Sequence, residues 1–357
     1  MKLRSCSLLV LFLAGWFLAG AGLVFPVPAD SAPLAASEVP VWGRPGPYGV
    51  AVSCYTWKDD RRDREVPVKI YYPAQGAGPF PVIIFSHGLG GSREGYEYLG
   101  RQWASHGYVS VHLQHPGSDR AVWENSWSKL LALWQAAHNL QNSLNRPLDV
   151  SFALDQLEKL NQSGSPLQSR LDLSRVGAAG HSFGAYTTMA IAGQVYGRPG
   201  GREISLADPR IKAAIPMSTP VPRKKDNLTQ AYAKITIPCL HMTGTRDDSP
   251  IGETRAGERR VPFDYTNSSD QYLVTFQDGD HMIFSDHKRL LSRGDQDARF
   301  HDLIRLSTTV FWDAYLKGEA VARSWLNGGG LAGALGAYAT LEMKLPGRTG
   351  PAGSRGQ

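Results

Sequence analysis

The segment SRVGAAGHSFGAYTTMAIAG, residues 174–193, does most to limit what this chain can fold into. Its first half is small and apolar over a strand's length, its second half reads as a helix, and no linker separates the two. Gly180 and Gly184 bracket Ser182 in the pattern G-x-S-x-G, which occurs once in the chain, with Ala178, Ala179 and Ala185 beside them. A strand that turns into a helix through one serine forces uncomfortable backbone angles on it and draws its neighbours close, which small residues allow. With 38 glycines in 357 residues the pentapeptide alone decides little, so its surroundings carry the argument.

Those surroundings alternate between two periodicities. VAVSCYTW and VPVKIYYP, separated by the charged DDRRDRE, predict an antiparallel pair that opens a sheet. PVIIFSHG is a short, wholly apolar run, as a central buried strand requires. Gly95 to His106 suits a helix stopped by Gly107, and YVSVHLQ is the next strand. Pro147 to Leu160 reads as a helix with Leu148, Phe152, Leu154 and Leu157 as its apolar residues. RIKAAIPM, TIPCLHMTG and QYLVTFQ are three further strands, and Phe300 to Leu316 is an amphipathic helix. The expected fold is α/β: one domain over 48–327, with a mostly parallel sheet and helices on both faces. Residues 328–357 read as a glycine-rich tail to which no function is assigned.

Residues 121–143 interrupt the alternation with a helical insertion carrying Trp123, Trp127, Leu130 and Trp134 on one face. Burial in the core is the preferred reading of that stripe. The alternative is a roof over the site that receives an apolar acyl or alcohol group.

The first 31 residues have the layout of a secretory signal and arm: Lys2 and Arg4, then a nearly unbroken apolar run from Leu8 to Val24, then small residues and prolines. Cleavage after Ala21 or near Ser31 is expected, and an uncleaved membrane anchor is the alternative. Export to the periplasm or the exterior follows from either. The formal charge of +6 is spread along the chain, densest in DDRRDRE and PRKK, and neither run interleaves bases with stacking aromatics, so nucleic-acid binding is not expected. Cys54 and Cys239 fall on strands far apart in the sheet and are expected to be two buried free thiols.

A serine is a poor nucleophile without a base, and the base needs a carboxylate to fix its tautomer. Both follow Ser182 in the order acid, then histidine. TIPCLHMTGTRDDSP is a strand followed by a glycine and two aspartates, and QYLVTFQDGDHMIF is the next strand, followed by a polar turn with His281. Each candidate stands just past the carboxyl end of a strand, where ligands gather in open α/β sheets. His281 has competitors among the ten histidines. His112 and His115 are expected on opposite faces, His106 at a helix end, and His87 and His181 in supporting positions. The acid is Asp247 or Asp248, with Asp247 narrowly preferred and the other left to stabilise the loop. An oxyanion hole needs two backbone amides: Phe183, after the nucleophile, and Leu89, in the loop SHGLGG.

FSHGLGG, ASHGYVSV and GHSFG, in this order and spacing, resemble the α/β-hydrolase superfamily. Within it they look like the dienelactone-hydrolase-like esterases and the plasma-type platelet-activating factor acetylhydrolases, with cutinase-like polyester hydrolases more distant. The resemblance spans roughly Val50 to Leu316. It implies a Ser/Asp/His carboxylic-ester hydrolase with Ser182 as nucleophile, His281 as base, and Leu89 and Phe183 as oxyanion amides. This chain has Ser182 where true dienelactone hydrolases carry cysteine. Its strand AAIPMSTPVP also lacks the carboxylate that the acetylhydrolases place after it.

The resulting expectation is an exported serine esterase that forms an acyl-enzyme without metal or cofactor. Short to medium acyl groups are expected, since bulky Phe183 follows the nucleophile and no long lipid groove is evident. The alternatives are a phospholipid acetylhydrolase, a polyester hydrolase, a peptidase or an acyltransferase on the same residues, and, from another class, a non-catalytic binding module. Oligomeric state is not legible.

Overall fold

Strand PVIIFS has no exposed residue because both faces of its sheet are covered. In the computed structural model, which describes residues 40–346 apart from 125, 163, 198–202, 223–224, 253 and 287–294, it is β3 of a nine-stranded sheet. The expected signal segment with Cys6, and the last residues of the expected tail, lie outside the described residues. The strands in chain order are β1 (Val50–Asp59), β2 (Arg64–Pro73), β3 (Phe80–Ser86), β4 (Val109–Leu113), β5 (Leu171–His181), β6 (Val195–Gly197), β7 (Glu203–Ser205), β8 (Ile211–Met217), β9 (Cys239–Arg246), β10 (Gln271–Asp280) and β11 (Ala339–Lys344). Their order across the sheet is β1-β2-β4-β3-β5-β8-β9-β10-β11, while β6 and β7 form a separate hairpin. From β4 to β10 every neighbouring pair is parallel, and β1, β2 and β11 run antiparallel at the edges.

The helices are α1 (Glu97–Ser105), α2 (Ala121–Glu124), α3 (Lys129–His138), α4 (Leu140–Gln162), α5 (Phe183–Ala192), α6 (Leu228–Tyr232), α7 (Val261–Tyr265), α8 (Asp295–Trp312), α9 (Ala320–Asn327) and α10 (Gly330–Leu335). Successive residues of a strand face opposite ways, and β3 uses both. Ile83 and Phe85 join Leu99 and Trp103 of α1 and Leu303 and Ile304 of α8 in one core. Val82 and Ile84 join Val150, Leu154 and Leu157 of α4 in the other. Each such side chain, fully buried, contributes about 1.5–3 kcal/mol relative to exposure. This is an α/β-hydrolase fold.

Four expectations need correction. The domain does not stop at 327, because α10 buries Leu331 and Leu335 in the core and β11 pairs with β10 from Gln271↔Lys344 to Phe276↔Ala339. Helix α4 starts at Leu140 and contains Pro147; the Ser143 carbonyl that the proline leaves without an amide accepts from the Tyr186 hydroxyl at 3.4 Å. The buried stripe of α4 runs Arg146, Asp149, Val150, Ala153, Leu157, so two charged residues face inward while Leu148 faces out. Cys54 is exposed, since edge strand β1 turns it away from the core; Cys239 is buried, and both are free thiols.

The aromatic insertion is the fourth. Trp127 is 100% exposed, and Leu130, Leu131 and Trp134 are also exposed, so their stripe is not a core face. The insertion is engaged along its inner edge, where Trp123 Nε1 donates to the Gly90 carbonyl at 2.8 Å and Asn142 Nδ2 to the Gly117 carbonyl at 2.7 Å. Among the described residues no helix is long and apolar enough to cross a membrane.

Candidate active site

The turn between β5 and α5 gives Ser182 φ 57° and ψ −117°, a conformation L-residues seldom adopt. Its neighbours leave no room for side chains. A Cβ on Gly184 would lie 1.9 Å from the Ser86 carbonyl oxygen at the end of β3, and one on Gly180 would lie 2.4 Å from the Gly184 carbonyl oxygen. The Ser182 amide is spent on the Met217 carbonyl of β8 at 2.9 Å, which pins the turn to the next strand.

The strand order then brings the other candidates to the same rim. β9 and β10 are adjacent and parallel, so the loops after them lie side by side. A Cβ on Gly244 would sit 2.2 Å from the Gly279 carbonyl oxygen, and this close approach brings the two loops together. His281 Nε2 is 2.9 Å from Ser182 Oγ, and His281 Nδ1 is 2.7 Å from Asp247 Oδ1. With Nδ1–H donating to Asp247, Nε2 is the free base that faces the hydroxyl. Ser182 is half-buried, His281 is 7% exposed, and Asp247 is fully buried.

Asp248 goes elsewhere. Its Oδ1 accepts from the Ala256 amide at 2.9 Å, and it steadies the exposed loop rather than the imidazole. Asp247 is held from three sides: His281, the Thr243 hydroxyl at 2.8 Å to Oδ2, and Arg259, whose Nε lies 3.4 Å from Oδ1. Burial alone would raise its pKa, but the His281 hydrogen bond and the Arg259 charge outweigh that and hold the carboxyl below its ordinary value. Arg259 also donates to the Asp247 carbonyl at 3.1 Å and the Ser218 carbonyl at 2.8 Å, which locks the acid's loop.

The other histidines weighed against His281 have structural partners. His181 donates from Nε2 to the His281 carbonyl at 2.9 Å and accepts the Tyr96 hydroxyl on Nδ1 at 2.7 Å, fixing the turn that carries His281. His87 donates from Nδ1 to the Gly88 carbonyl at 2.6 Å and accepts the His115 amide on Nε2 at 3.1 Å. His115 donates to Asp149 at 3.0 Å and accepts the Ser86 hydroxyl, facing away from the side where His112 packs on Tyr71 and Phe85. Burial pushes His87 and His181 well below the ordinary histidine value, and His115 to about 4. His106 caps α1 and donates to the Arg44 carbonyl at 2.9 Å.

Leu89 follows β3 and Phe183 opens α5, two neighbouring elements at this rim of the sheet. Their backbone amides make no hydrogen bond among the described residues, whereas Gly90 N, Gly91 N and Ser182 N nearby all do. Two unspent donors of this kind are what a developing oxyanion needs. Among the described residues no group of three His, Cys, Asp or Glu side chains is arranged to hold a metal ion. In the loop at 115–119 His115, Ser118 and Asp119 are buried, and the Ser118 carbonyl accepts from Gly90 N at 2.9 Å. The sequence reading overlooked Tyr96, Arg146, Asp149 and Arg259. The one signal for any of them was the spacing of Arg146 and Asp149 with Val150, Ala153 and Leu157 on α4.

Parts of the sequence are similar to known proteins. The sequence model of the family described as platelet-activating factor acetylhydrolase, isoform II, matches residues 62–129. A platelet-activating factor acetylhydrolase of Cavia porcellus is 28% identical over 156 residues, covering 35% of this chain and 34% of the relative. One from Canis lupus familiaris is 22% identical over 242 residues, 60% of this chain and 50% of the relative. Cutinase est1 of Thermobifida alba is 28% identical over 171 residues, 48% of this chain and 43% of the relative. The chain thus spans from about a third to a half of the length of these relatives. The fold is that of the α/β hydrolases, and the sequence is similar in part to both groups.

Proposed function

We propose that this α/β hydrolase is an exported serine esterase that cleaves carboxylic esters of short to medium acyl chains through an acyl-enzyme. The observation that carries the reading is the continuous chain from Ser182 Oγ through His281 to Asp247, at 2.9 and 2.7 Å, beside two unspent amides. Ser182 Oγ attacks the ester carbonyl while His281 Nε2 takes its proton. The tetrahedral oxyanion is stabilised by the amides of Leu89 and Phe183. As the carbon–oxygen bond to the alcohol breaks, His281 returns the proton to the leaving oxygen, and Ser182 stays acylated. Water then attacks the acyl carbonyl, His281 takes its proton and passes it to Ser182 Oγ, and the carboxylic acid leaves. Asp247 remains ionised and holds His281 in the tautomer both steps need.

Relatives named as acetylhydrolases and cutinases support an ester substrate with an apolar part. So does the exposed apolar face of α3, next to the loop that carries Leu89. p-Nitrophenyl esters of increasing chain length, a phospholipid and a polyester film test the reading side by side. Highest kcat/KM on the shorter p-nitrophenyl esters is expected; phospholipid preferred over all of them would replace the substrate assignment, and no turnover of any would leave a binding module. Export is checked by N-terminal sequencing of protein recovered outside the cytoplasm.

A further inference from the structure

Arg146 is fully buried, yet among the described residues it forms no ion pair. The nearby carboxylate, Asp149, is occupied by Arg62, Arg64 and His115. A buried guanidinium committed to neutral acceptors is an expensive arrangement, because desolvation is not offset by a contacting opposite charge. Burial pushes its pKa down to about 9, with Asp149 opposing, so the group stays charged at neutral pH.

What the guanidinium touches has a pattern. Nη2 donates to the His87 carbonyl, two residues before Leu89. Nη1 donates to Ser118 Oγ at 2.9 Å, and the Ser118 carbonyl accepts from Gly90 N, one residue after Leu89. Nε donates to Thr187 Oγ1 at 2.9 Å, and that hydroxyl donates to the Phe183 carbonyl at 3.0 Å. The guanidinium carbon also lies 4.6 Å from the centroid of the Phe183 ring. One side chain therefore braces the backbone on both sides of Leu89 and the first turn of α5 that presents Phe183. These two elements are distant in sequence.

We infer that Arg146 is the positioning residue of the oxyanion hole, setting the Leu89 and Phe183 amides against each other at the spacing the tetrahedral intermediate requires. The inference rests on the serine esterase reading. An amide pair displaced by a fraction of an ångström still binds substrate but stabilises the transition state less, so the loss falls on kcat.

The test compares wild type with Arg146→Gln, Arg146→Lys and Thr187→Val on a short p-nitrophenyl ester. Concentrations are normalised to active sites titrated by a fluorophosphonate, and folding is checked by circular dichroism. Arg146→Gln is expected to lower kcat by about 10²-fold with KM within about twofold, since misplacement of an otherwise intact group has effects of that size. Arg146→Lys is expected to recover part of the loss, and Thr187→Val, which removes one hydroxyl, to lose about tenfold in kcat. If the Arg146 variants do not fold, Thr187→Val carries the test alone. Variants whose loss disappears on normalisation to active sites, or falls on KM with kcat intact, overturn the inference while leaving the esterase reading in place. A wild type that neither turns over esters nor labels at Ser182 overturns both.

Discussion

Two adjacent aspartates show how much a site depends on where a carboxylate points. Asp247 turns inward to His281, whereas Asp248 turns outward to the Ala256 amide. Asp247→Asn is expected to lower kcat by about 10⁴-fold, because the amide stabilises the wrong imidazole tautomer, and Asp248→Asn to change it by less than a few fold. Steady-state kinetics on one p-nitrophenyl ester measures both. Equal losses would mean that the acid is not the residue the geometry selects. Ser182 and His281 are readable in sequence, because glycines around a serine and a histidine after the last parallel strand are local signals. The choice between Asp247 and Asp248 is not local: it depends on Thr243, Arg259 and the pairing of β9 with β10. Arg146 and Arg259 are hidden for the same reason, since a charged residue in a sequence reads as surface until its buried acceptors are known.

At the scale of elements, the elbow is the most constrained junction in the molecule. β3, β5 and α5 meet where the Ser86 carbonyl oxygen would be only 1.9 Å from a Cβ at position 184. Gly184→Ala therefore forces backbone apart rather than a side chain, and is expected to destabilise by more than about 3 kcal/mol. Denaturant unfolding followed by fluorescence measures it, and a shift under about 1 kcal/mol would show that the junction is looser than its geometry. The alternation of strands and helices is legible because buried parallel strands are short and wholly apolar, as β3 is. The edges are not. β11 hides in a glycine-rich stretch because an edge strand pairs on one side and needs little apolar content. The insertion misleads in the opposite direction: four apolar side chains at helical spacing signal one buried face, but they fall on α2, the link after it and α3, and Trp127, Leu130 and Trp134 stay in solvent. Helix α4 combines both difficulties, with Leu148 outside and Arg146 and Asp149 inside.

Across the whole molecule, buried neutral histidines make stability depend on pH. His87, His112, His115, His181 and His241 are all buried and all depressed by desolvation, His112 to about 3 and His115 and His241 to about 4. In the unfolded chain each returns to an ordinary value near 6.5, so between about pH 6.5 and 4 the unfolded state binds more protons. Stability present above about pH 6.5 is then lost progressively as pH falls towards 4. Thermal melts over that range should show a steadily falling Tm, and a flat Tm would mean that these histidines are charged or hydrated in the fold. The same compactness brings together Ser182, Asp247 and His281 from three separate strand ends, and their cooperation is open to one direct measurement. Intact-mass spectrometry after brief exposure to a fluorophosphonate is expected to show a single adduct on wild type, mapped to Ser182, slow labelling of His281→Ala and none of Ser182→Ala. Well-folded wild type without an adduct, or an adduct that survives Ser182→Ala, would contradict the triad.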